Sequence, residues 1–147
     1  MKRKVLFITI IAILILITLN PTQRLRNSHD AKRTTDVNII LTSIHRYIID
    51  NKGKFPGGLS AGMTEKQIGT SALGCTISTG GCLVFVTACV DLTSSLSKYL
   101  KSIPIDPLGN ISYTGAKTGY SVIVDSNNIV TVKACGAEGG SDIFATK

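Results

Sequence analysis

The chain has 147 residues, which is enough for one small domain beside a long helix. Its formal net charge is +7, but residues 1–54 hold ten Lys and Arg against three Asp, whereas residues 55–147 hold six of each sign. The neutral C-terminal part therefore does not indicate a nucleic-acid-binding domain, and no direct nucleic-acid site is predicted. The basic side chains after the apolar N-terminus are interpreted as a solvated helix face or as contacts to lipid headgroups: Arg24, Arg26, Lys32 and Arg33.

Residues 1–20 are typical of a membrane anchor. A basic start, Lys2 to Lys4, precedes a run of apolar residues and Thr from Val5 to Leu19. The exit of this run has no small-x-small cleavage site, which favours a retained anchor over a cleaved secretory signal. Fifteen residues span only about 22 Å as a helix, less than the ~30 Å hydrocarbon core. We therefore expect either that flanking residues extend the span or that the native chain starts further upstream.

Residues 21–53 are predicted to continue as an amphipathic helical stalk, with a kink at Pro21 because proline removes a helix hydrogen bond. Apolar residues recur there with helical spacing at Val37, Ile40, Leu41, Ile44 and Ile48. Gly53 is predicted to cap the C-terminal end. Asp30 and Asp36 are expected to pair with basic neighbours three or four residues away.

Residues 54–147 are predicted to form a globular head. The first part of the head is predicted to be a long surface loop with a short helix at 64–68. A strand or buried segment at 83–89 and a short helix at 92–100 follow. Strands are predicted at 111–114, 119–124, 129–134 and 142–146, with a hairpin turn at Asp125–Asn128. The predicted fold class is α+β, a long N-terminal helix packed on a small antiparallel β-sheet.

The four cysteines all lie in the predicted head: Cys75, Cys82, Cys89 and Cys135. An even number in a small domain rich in Gly, Ser and Thr favours disulfide bonds in an oxidising compartment. Three pairings are possible, and Cys75–Cys82 with Cys89–Cys135 is the one we favour from the sequence.

No catalytic, cofactor-binding or metal-binding residues are predicted. The only histidines, His29 and His45, fall on the stalk, so neither a hydrolase site nor a zinc site is indicated for the head. Calcium is considered as well, because Asp125–Asn128 and Glu138–Asp142 offer oxygen ligands, but neither has EF-hand spacing.

Several segments, in order along the chain, are similar to those of type IV pilins and of the major pseudopilins of type II secretion. They are Ala12–Leu16 with Leu19–Pro21, Arg26–Val37, Tyr47–Pro56, Val90–Leu92, Tyr99–Leu100, Ile103–Pro107, Thr118–Val122 and Val130–Val132. The resemblance implies a pilin-like fold and a non-enzymatic subunit that assembles into a filament through its hydrophobic N-terminal helix. Its expected partners are membrane lipid, other pilin-like subunits and the assembly machinery.

The resemblance also implies a single-pass membrane protein with a cytoplasmic N-terminus and an extracytoplasmic head. One part of the family pattern does not match: the Gly-Phe-Thr-Leu-Ile-Glu-like junction cut by the prepilin peptidase is absent near Lys4–Phe7. A start codon assigned too late would explain this, and a degenerate, unprocessed relative is the rival account. The alternative function is a monomeric, membrane-anchored binding module with a pilin-like fold that does not polymerise.

Overall fold

The computed structural model describes residues 20–108 and 113–147. Within them one long helix packs on a four-stranded antiparallel sheet, which confirms the α+β class. The elements are α1 (Pro21–Asp50), β1 (Met63–Gln67), α2 (Thr93–Leu96), β2 (Tyr120–Val124), β3 (Val130–Ala134) and β4 (Ile143–Thr146).

Helix α1 has recognisable signals at both ends. Asn20 is its N-cap, with an extended backbone (φ −73°, ψ 91°) and a side chain that accepts a hydrogen bond from the Gln23 amide at 3.4 Å. Pro21 follows at the first helical position, where its missing N–H costs nothing. The predicted kink involves residues before Asn20, which lie outside the described part of the chain. At the other end Asn51 is the C-cap, and the left-handed position that follows it is occupied by Lys52 (φ 57°), so the predicted cap at Gly53 is one residue too late. Gly53 (φ 85°) comes next and donates to the Ile48 carbonyl at 2.8 Å.

The sheet has the strand order β1-β2-β3-β4, with every neighbouring pair antiparallel. Its last three strands agree closely with the predicted ones. The β2–β3 hairpin turn contains Asn128 in the left-handed region (φ 68°), and the Asp125 carboxylate accepts the amides of Asn127 and Ile129, each at 2.8 Å. The prediction of Asn and Asp turn chemistry is thus confirmed.

Two local predictions in the head are wrong, and a third is right about the element but not about its length. Residues 64–68 do not form a helix, because most of this segment lies in strand β1, which pairs with β2 and buries Glu65 and Gln67 on one face. Residues 83–89 form neither a strand nor a continuously buried segment, since only Val84 makes a β-bridge, to Ile77, while Leu83 and Phe85 are exposed. The helix predicted over 92–100 is α2, which covers only Thr93–Leu96. Half of the strand predicted at 111–114, residues 111–112, lies outside the described residues, and Thr114 makes an isolated β-bridge to Lys117.

The core lies between α1 and the inner face of the sheet. The predicted apolar stripe of α1 is confirmed, because Val37, Ile40, Leu41 and Ile44 are buried and Ile48 packs against them. The sheet and the segments around α2 contribute the remaining buried residues: Ile68, Val90, Leu92, Leu96, Tyr120, Val122, Val124, Val130, Val132 and Ala134.

In the described residues, 20–108 and 113–147, no helix is both long and apolar enough to cross a bilayer. The predicted anchor, residues 1–20, lies outside them except for Asn20.

Candidate functional site

A buried cluster of charged side chains joins α1 to two loops of the head. Arg33 is fully buried, and its guanidinium makes two parallel bonds to Asp106, Nε to Oδ2 at 2.7 Å and Nη2 to Oδ1 at 2.8 Å. Its Nη1 atom also donates to Asp30 at 2.8 Å and to Glu138 at 2.9 Å. Such a bidentate pair is the strong, directional form of a charge-assisted hydrogen bond. Together with His29, these four residues form what we term the Arg33 cluster.

The Arg33 cluster fastens the loop between β3 and β4 to the first half of α1. His29 Nδ1 lies 2.8 Å from Glu138 Oε2, and the Asp30 carboxylate accepts the backbone amides of Glu138 at 3.1 Å and Gly139 at 2.8 Å. Gly136 leaves space for the Arg33–Asp106 pair, because a Cβ atom there would lie 2.6 Å from an Asp106 oxygen. The cluster therefore ties three segments of chain that are far apart in sequence.

Each pKa that shifts in the cluster shifts in the direction that favours the charged form of its side chain. Burial alone would lower the pKa of Arg33, but the hydrogen bonds to Asp106, Glu138 and Asp30 raise it. Burial alone would raise the pKa of Asp30, but the hydrogen bonds from Arg33 and the two loop amides lower it. The hydrogen bond from Arg33 lowers the pKa of Glu138, and His29 adds to this. The cluster is thus a set of paired charges held in place by the fold.

The interpretation of Arg33 as a solvated or headgroup-facing residue is wrong. Arg33 precedes Val37 by four residues and so continues the buried stripe of α1, whereas Arg24, Arg26 and Lys32 are exposed. Its position on the apolar face was the signal in the sequence that could have identified it. Asp106 and Glu138 carried no comparable signal, because each lies in a loop.

A second polar contact between α1 and the sheet centres on Asp36. Tyr120 donates its hydroxyl to Asp36 Oδ2 at 2.7 Å, and Lys32 donates to the same atom at 2.6 Å. Burial and the bond to Asp36 raise the pKa of Tyr120. The predicted pairs are confirmed, Lys32–Asp36 at i, i+4 and Asp30–Arg33 at i, i+3.

Two disulfide bonds are present, Cys75–Cys89 and Cys82–Cys135. The favoured pairing, Cys75–Cys82 with Cys89–Cys135, is therefore wrong. Backbone contacts explain the difference: the Cys75 amide donates to the Thr87 carbonyl at 2.9 Å, which draws Cys75 towards Cys89.

The second bridge is formed where a turn of the loop folds over the end of β3. The Thr79 hydroxyl donates to the Cys135 carbonyl at 2.8 Å, which brings the turn that contains Cys82 next to Cys135. Beneath this loop, Lys133 and Ser121 both bond the Glu65 carboxylate on the outer face of the sheet. The loop over residues 70–91 is thus fixed to the sheet rather than free at the surface, and neither pairing partner could be identified from sequence spacing.

The side of α1 that faces away from the sheet is exposed and contains a shallow groove of about 360 Å³. We term it the stalk groove, and it is lined by Thr35, Asn38, Ile39, Thr42, Ser43, Arg46 and Tyr99. Three large apolar side chains of α1 are also exposed on it or beyond its ends: Leu25, Ile39 and Ile49.

The other residues considered from the sequence are separated. His45 Nε2 contacts the Lys147 carbonyl at 3.1 Å, far along α1 from His29. Of the two calcium candidates, Asp125 is engaged in its own turn and Glu138 in the Arg33 cluster. Among residues 20–108 and 113–147, no group of three or more His, Cys, Asp or Glu side chains is arranged to hold a metal ion.

Comparison of the chain with protein-family models, with curated proteins and with solved structures finds no significant match.

Proposed function

We propose that the protein is a structural subunit of a filament of the type IV pilus or type II secretion pseudopilus kind, which assembles through its hydrophobic N-terminal helix. In this proposal residues 1–20 anchor the subunit in the membrane, with the N-terminus cytoplasmic and the head extracytoplasmic. The protein would have no catalytic role. The two disulfide bonds are consistent with a head that folds outside the cytoplasm.

The observation that carries the proposal is the two-faced character of α1. One side of the helix, through Val37, Ile40 and Ile44, is buried in the head. The opposite side carries the stalk groove, and the exposed Ile39 is one of the residues that line it. One side of α1 is thus packed against its own domain, and the other side still exposes apolar side chains. Such a helix is suited to packing against further helices.

The rigid attachment of α1 supports the same proposal. A subunit that transmits force through a helix needs that helix to be fixed to its head. The Arg33 cluster and the Asp36–Tyr120 bond fix it at two levels. These contacts are buried. Removing one partner of a buried charge pair lowers the free energy of unfolding by several kcal/mol.

The alternative is a monomeric, membrane-anchored binding module with the same fold. One feature of the stalk groove favours it, because six of the seven residues that line the groove carry a polar group and only Ile39 is wholly apolar. Reading the coding sequence upstream of Met1 separates the two accounts at little effort. A leader that ends in Gly and continues Phe-Thr-Leu-Ile-Glu favours the filament subunit, and an in-frame stop directly upstream favours the monomer.

The direct test is assembly of the full chain in the cells that make it, together with the machinery proposed to act on it. Filaments sheared from the surface are counted by electron microscopy and their subunit is identified by mass spectrometry. We expect Ile39→Asp, which places a charge in the stalk groove, to abolish incorporation. Ile129→Asp is the matched control, because Ile129 is 41% exposed against 40% for Ile39 but lies in the β2–β3 turn.

A deletion of residues 1–19 provides the second arm of this test. We expect it to leave a soluble head that never enters filaments. Filaments formed by the truncated chain, or an equal loss of assembly in both isoleucine variants, would refute the proposed mode of assembly. Wild-type chains that remain monomeric in the membrane would favour the alternative.

A further inference from the structure

A second open groove lies where the end of α1 meets α2, and we term it the α1-end groove. Its volume is about 320 Å³, within the usual range of small-molecule sites, about 300–1,000 Å³. The lining residues are Tyr47, Asp50 and Asn51 on one side and Ser94, Ser95 and residues 97–99 on the other. Every one of them carries a polar side-chain group, so the groove favours a polar ligand over an apolar one.

An ion pair supplies the charged groups of the α1-end groove. Lys98 Nζ and the Tyr99 hydroxyl both donate to Asp50 Oδ2, each at 2.8 Å. The bond to Asp50 raises the pKa of Lys98, and the bond from Lys98 lowers the pKa of Asp50, so both stay charged. Asp50 Oδ1 accepts no hydrogen bond from the described residues, and an ammonium group has further donors to offer. The exposed pair therefore still presents an acceptor beside a donor.

Two further polar groups of the groove are held in place by contacts with the backbone. The Asn51 side-chain nitrogen donates to the Tyr47 carbonyl at 2.8 Å, which leaves the side-chain oxygen as an acceptor. Ser95 Oγ accepts the Gly57 amide at 3.2 Å, so its own proton remains available to a ligand. Groups that are already oriented reduce the entropy lost on binding. The groove thus presents both donors and acceptors in fixed positions.

Aromatic side chains add apolar surface to this polar lining. The rings of Tyr47 and Tyr99 meet edge to face, with their centroids 6.3 Å apart and their planes at 77°. Each tyrosine combines an apolar ring with a polar tip, which suits ligands that have both kinds of surface. A ligand that fits the groove therefore combines C–H surface with several hydrogen-bonding groups.

The balance of charge narrows the class of ligand further. The lining contains one acid, Asp50, and one base, Lys98, so an anion would be repelled by the first and a cation by the second. A lipid chain would deprive the polar lining of water without offering hydrogen bonds in return, which is costly. A neutral sugar avoids both penalties, because each of its hydroxyls can donate and accept. Two adjacent hydroxyls can then bind the carboxylate and the ammonium group together.

We propose that the α1-end groove binds a neutral saccharide, with one hydroxyl donating to Asp50 Oδ1 and its neighbour accepting from Lys98. The rings of Tyr47 and Tyr99 then contact part of the C–H surface of the sugar. Helix α1 has 30 residues, a length of about 45 Å, which separates the groove from the proposed anchor at the other end. Saccharide binding does not rest on polymerisation, since a monomeric binding module would keep the same groove.

The test uses the full chain in micelles of a detergent that has no sugar headgroup. Saturation-transfer NMR measures the binding of three neutral probes, maltotriose, cellotriose and mannotriose. We expect at least one probe to receive saturation from the wild type, and Asp50→Ala and Lys98→Met each to reduce this signal several-fold. Asp142→Ala and Lys101→Met are the matched controls and should keep the wild-type signal, because both residues are exposed and neither lines the groove.

Two further measurements separate loss of binding from other effects. An exposed ion pair contributes little to stability, so the thermal unfolding curves of the groove variants should match that of the wild type. Inorganic phosphate, followed by its own NMR signal, should not bind to the groove. Absence of saturation transfer to all three probes, an equal loss of signal in groove and control variants, or binding of phosphate in preference to the saccharides would each overturn the proposal.

Discussion

Arg33 on α1 and Asp106 on the loop before β2 are 73 residues apart in sequence and form a bidentate ion pair in which both side chains are fully buried. Neither charge has access to water, so each depends on the other and on the surrounding hydrogen bonds. Within the described residues every buried side-chain nitrogen and oxygen has a hydrogen-bond partner. A buried pair of this kind is sensitive to the loss of one partner and much less so to the loss of both.

We therefore expect Arg33→Met to lower the free energy of unfolding by about 3–5 kcal/mol, because it leaves Asp106 buried without its partner. Denaturant titration of the disulfide-bonded protein measures the loss. Arg24→Met is the control, since Arg24 is exposed on the same helix and such surface changes usually stay within about 0.5 kcal/mol. Similar losses in both variants would show that the pair contributes little.

The double variant Arg33→Met with Asp106→Leu extends this prediction. Removing both charges leaves no unpaired ion, so we expect it to be more stable than Arg33→Met alone. A loss equal to the sum of the two single changes would mean that the cluster acts through its separate contacts to Asp30 and Glu138 and not through the pair.

The two disulfide bonds are expected to differ in their contribution to stability. Cys82–Cys135 closes a separation of 53 residues and Cys75–Cys89 one of 14. In the chain-entropy model these correspond to about 4 and about 3 kcal/mol. Replacing each pair by alanine and comparing denaturant midpoints tests the order. Peptide mapping without reduction tests the pairing itself, and a Cys75–Cys82 peptide would contradict the structure.

Acid should weaken the attachment of the β3–β4 loop to α1. Arg33 lowers the pKa of Glu138 from its ordinary value of 4.5, and hydrogen bonds lower that of Asp30 from 3.8 despite its burial. A carboxyl group with a lowered folded-state pKa stabilises the fold above its unfolded-state value. This contribution is lost as the pH falls through the folded-state pKa. We therefore expect stability to decline as the pH is lowered below about 4.5.

Unfolding curves between pH 2 and 7 measure this decline in the wild type and in Glu138→Gln. The variant should show a shallower decline, because one of the titrating groups has been removed. Some decline should remain from Asp50, whose pKa is lowered by hydrogen bonds from Lys98 and Tyr99. Asp142→Asn is the control outside the Arg33 cluster and should keep the wild-type slope. An unchanged slope in Glu138→Gln would contradict the assignment.

Gly80 and Gly140 provide a matched pair for the disulfide-bonded loop. Both have a positive φ, 56° and 76°, but a Cβ atom at Gly80 would lie 2.6 Å from the Cys135 carbonyl oxygen, whereas nothing lies near Gly140. Alanine at Gly140 bears only the left-handed backbone cost of roughly 1–2 kcal/mol. Alanine at Gly80 also overpacks, so we expect a further loss of about 1–3 kcal/mol. Thermal melts of the two variants measure both losses of stability. Equal losses would contradict the structure, because they would mean that the 79–82 turn does not lie against the end of β3.

The stripe from Val37 to Ile48 could be recognised from the sequence because a helix fixes which residues share a face. The β2–β3 hairpin could also be predicted from local sequence, since Asp125 and Asn128 favour a turn independently of the residues that surround it. These two segments determined the α+β class without any long-range information. The strand β1 was missed because its alternation is short and its burial depends on pairing with β2.

The Arg33 cluster and the cysteine pairing were decided only by the tertiary structure. Helical spacing places Arg33 on the buried face but does not indicate which carboxylates will reach it from loops 73 and 105 residues away. Four cysteines allow three pairings, and the choice depends on which backbone segments lie side by side after folding. Local periodicity specifies the direction in which a side chain points, whereas its partner is specified by the packing of distant segments.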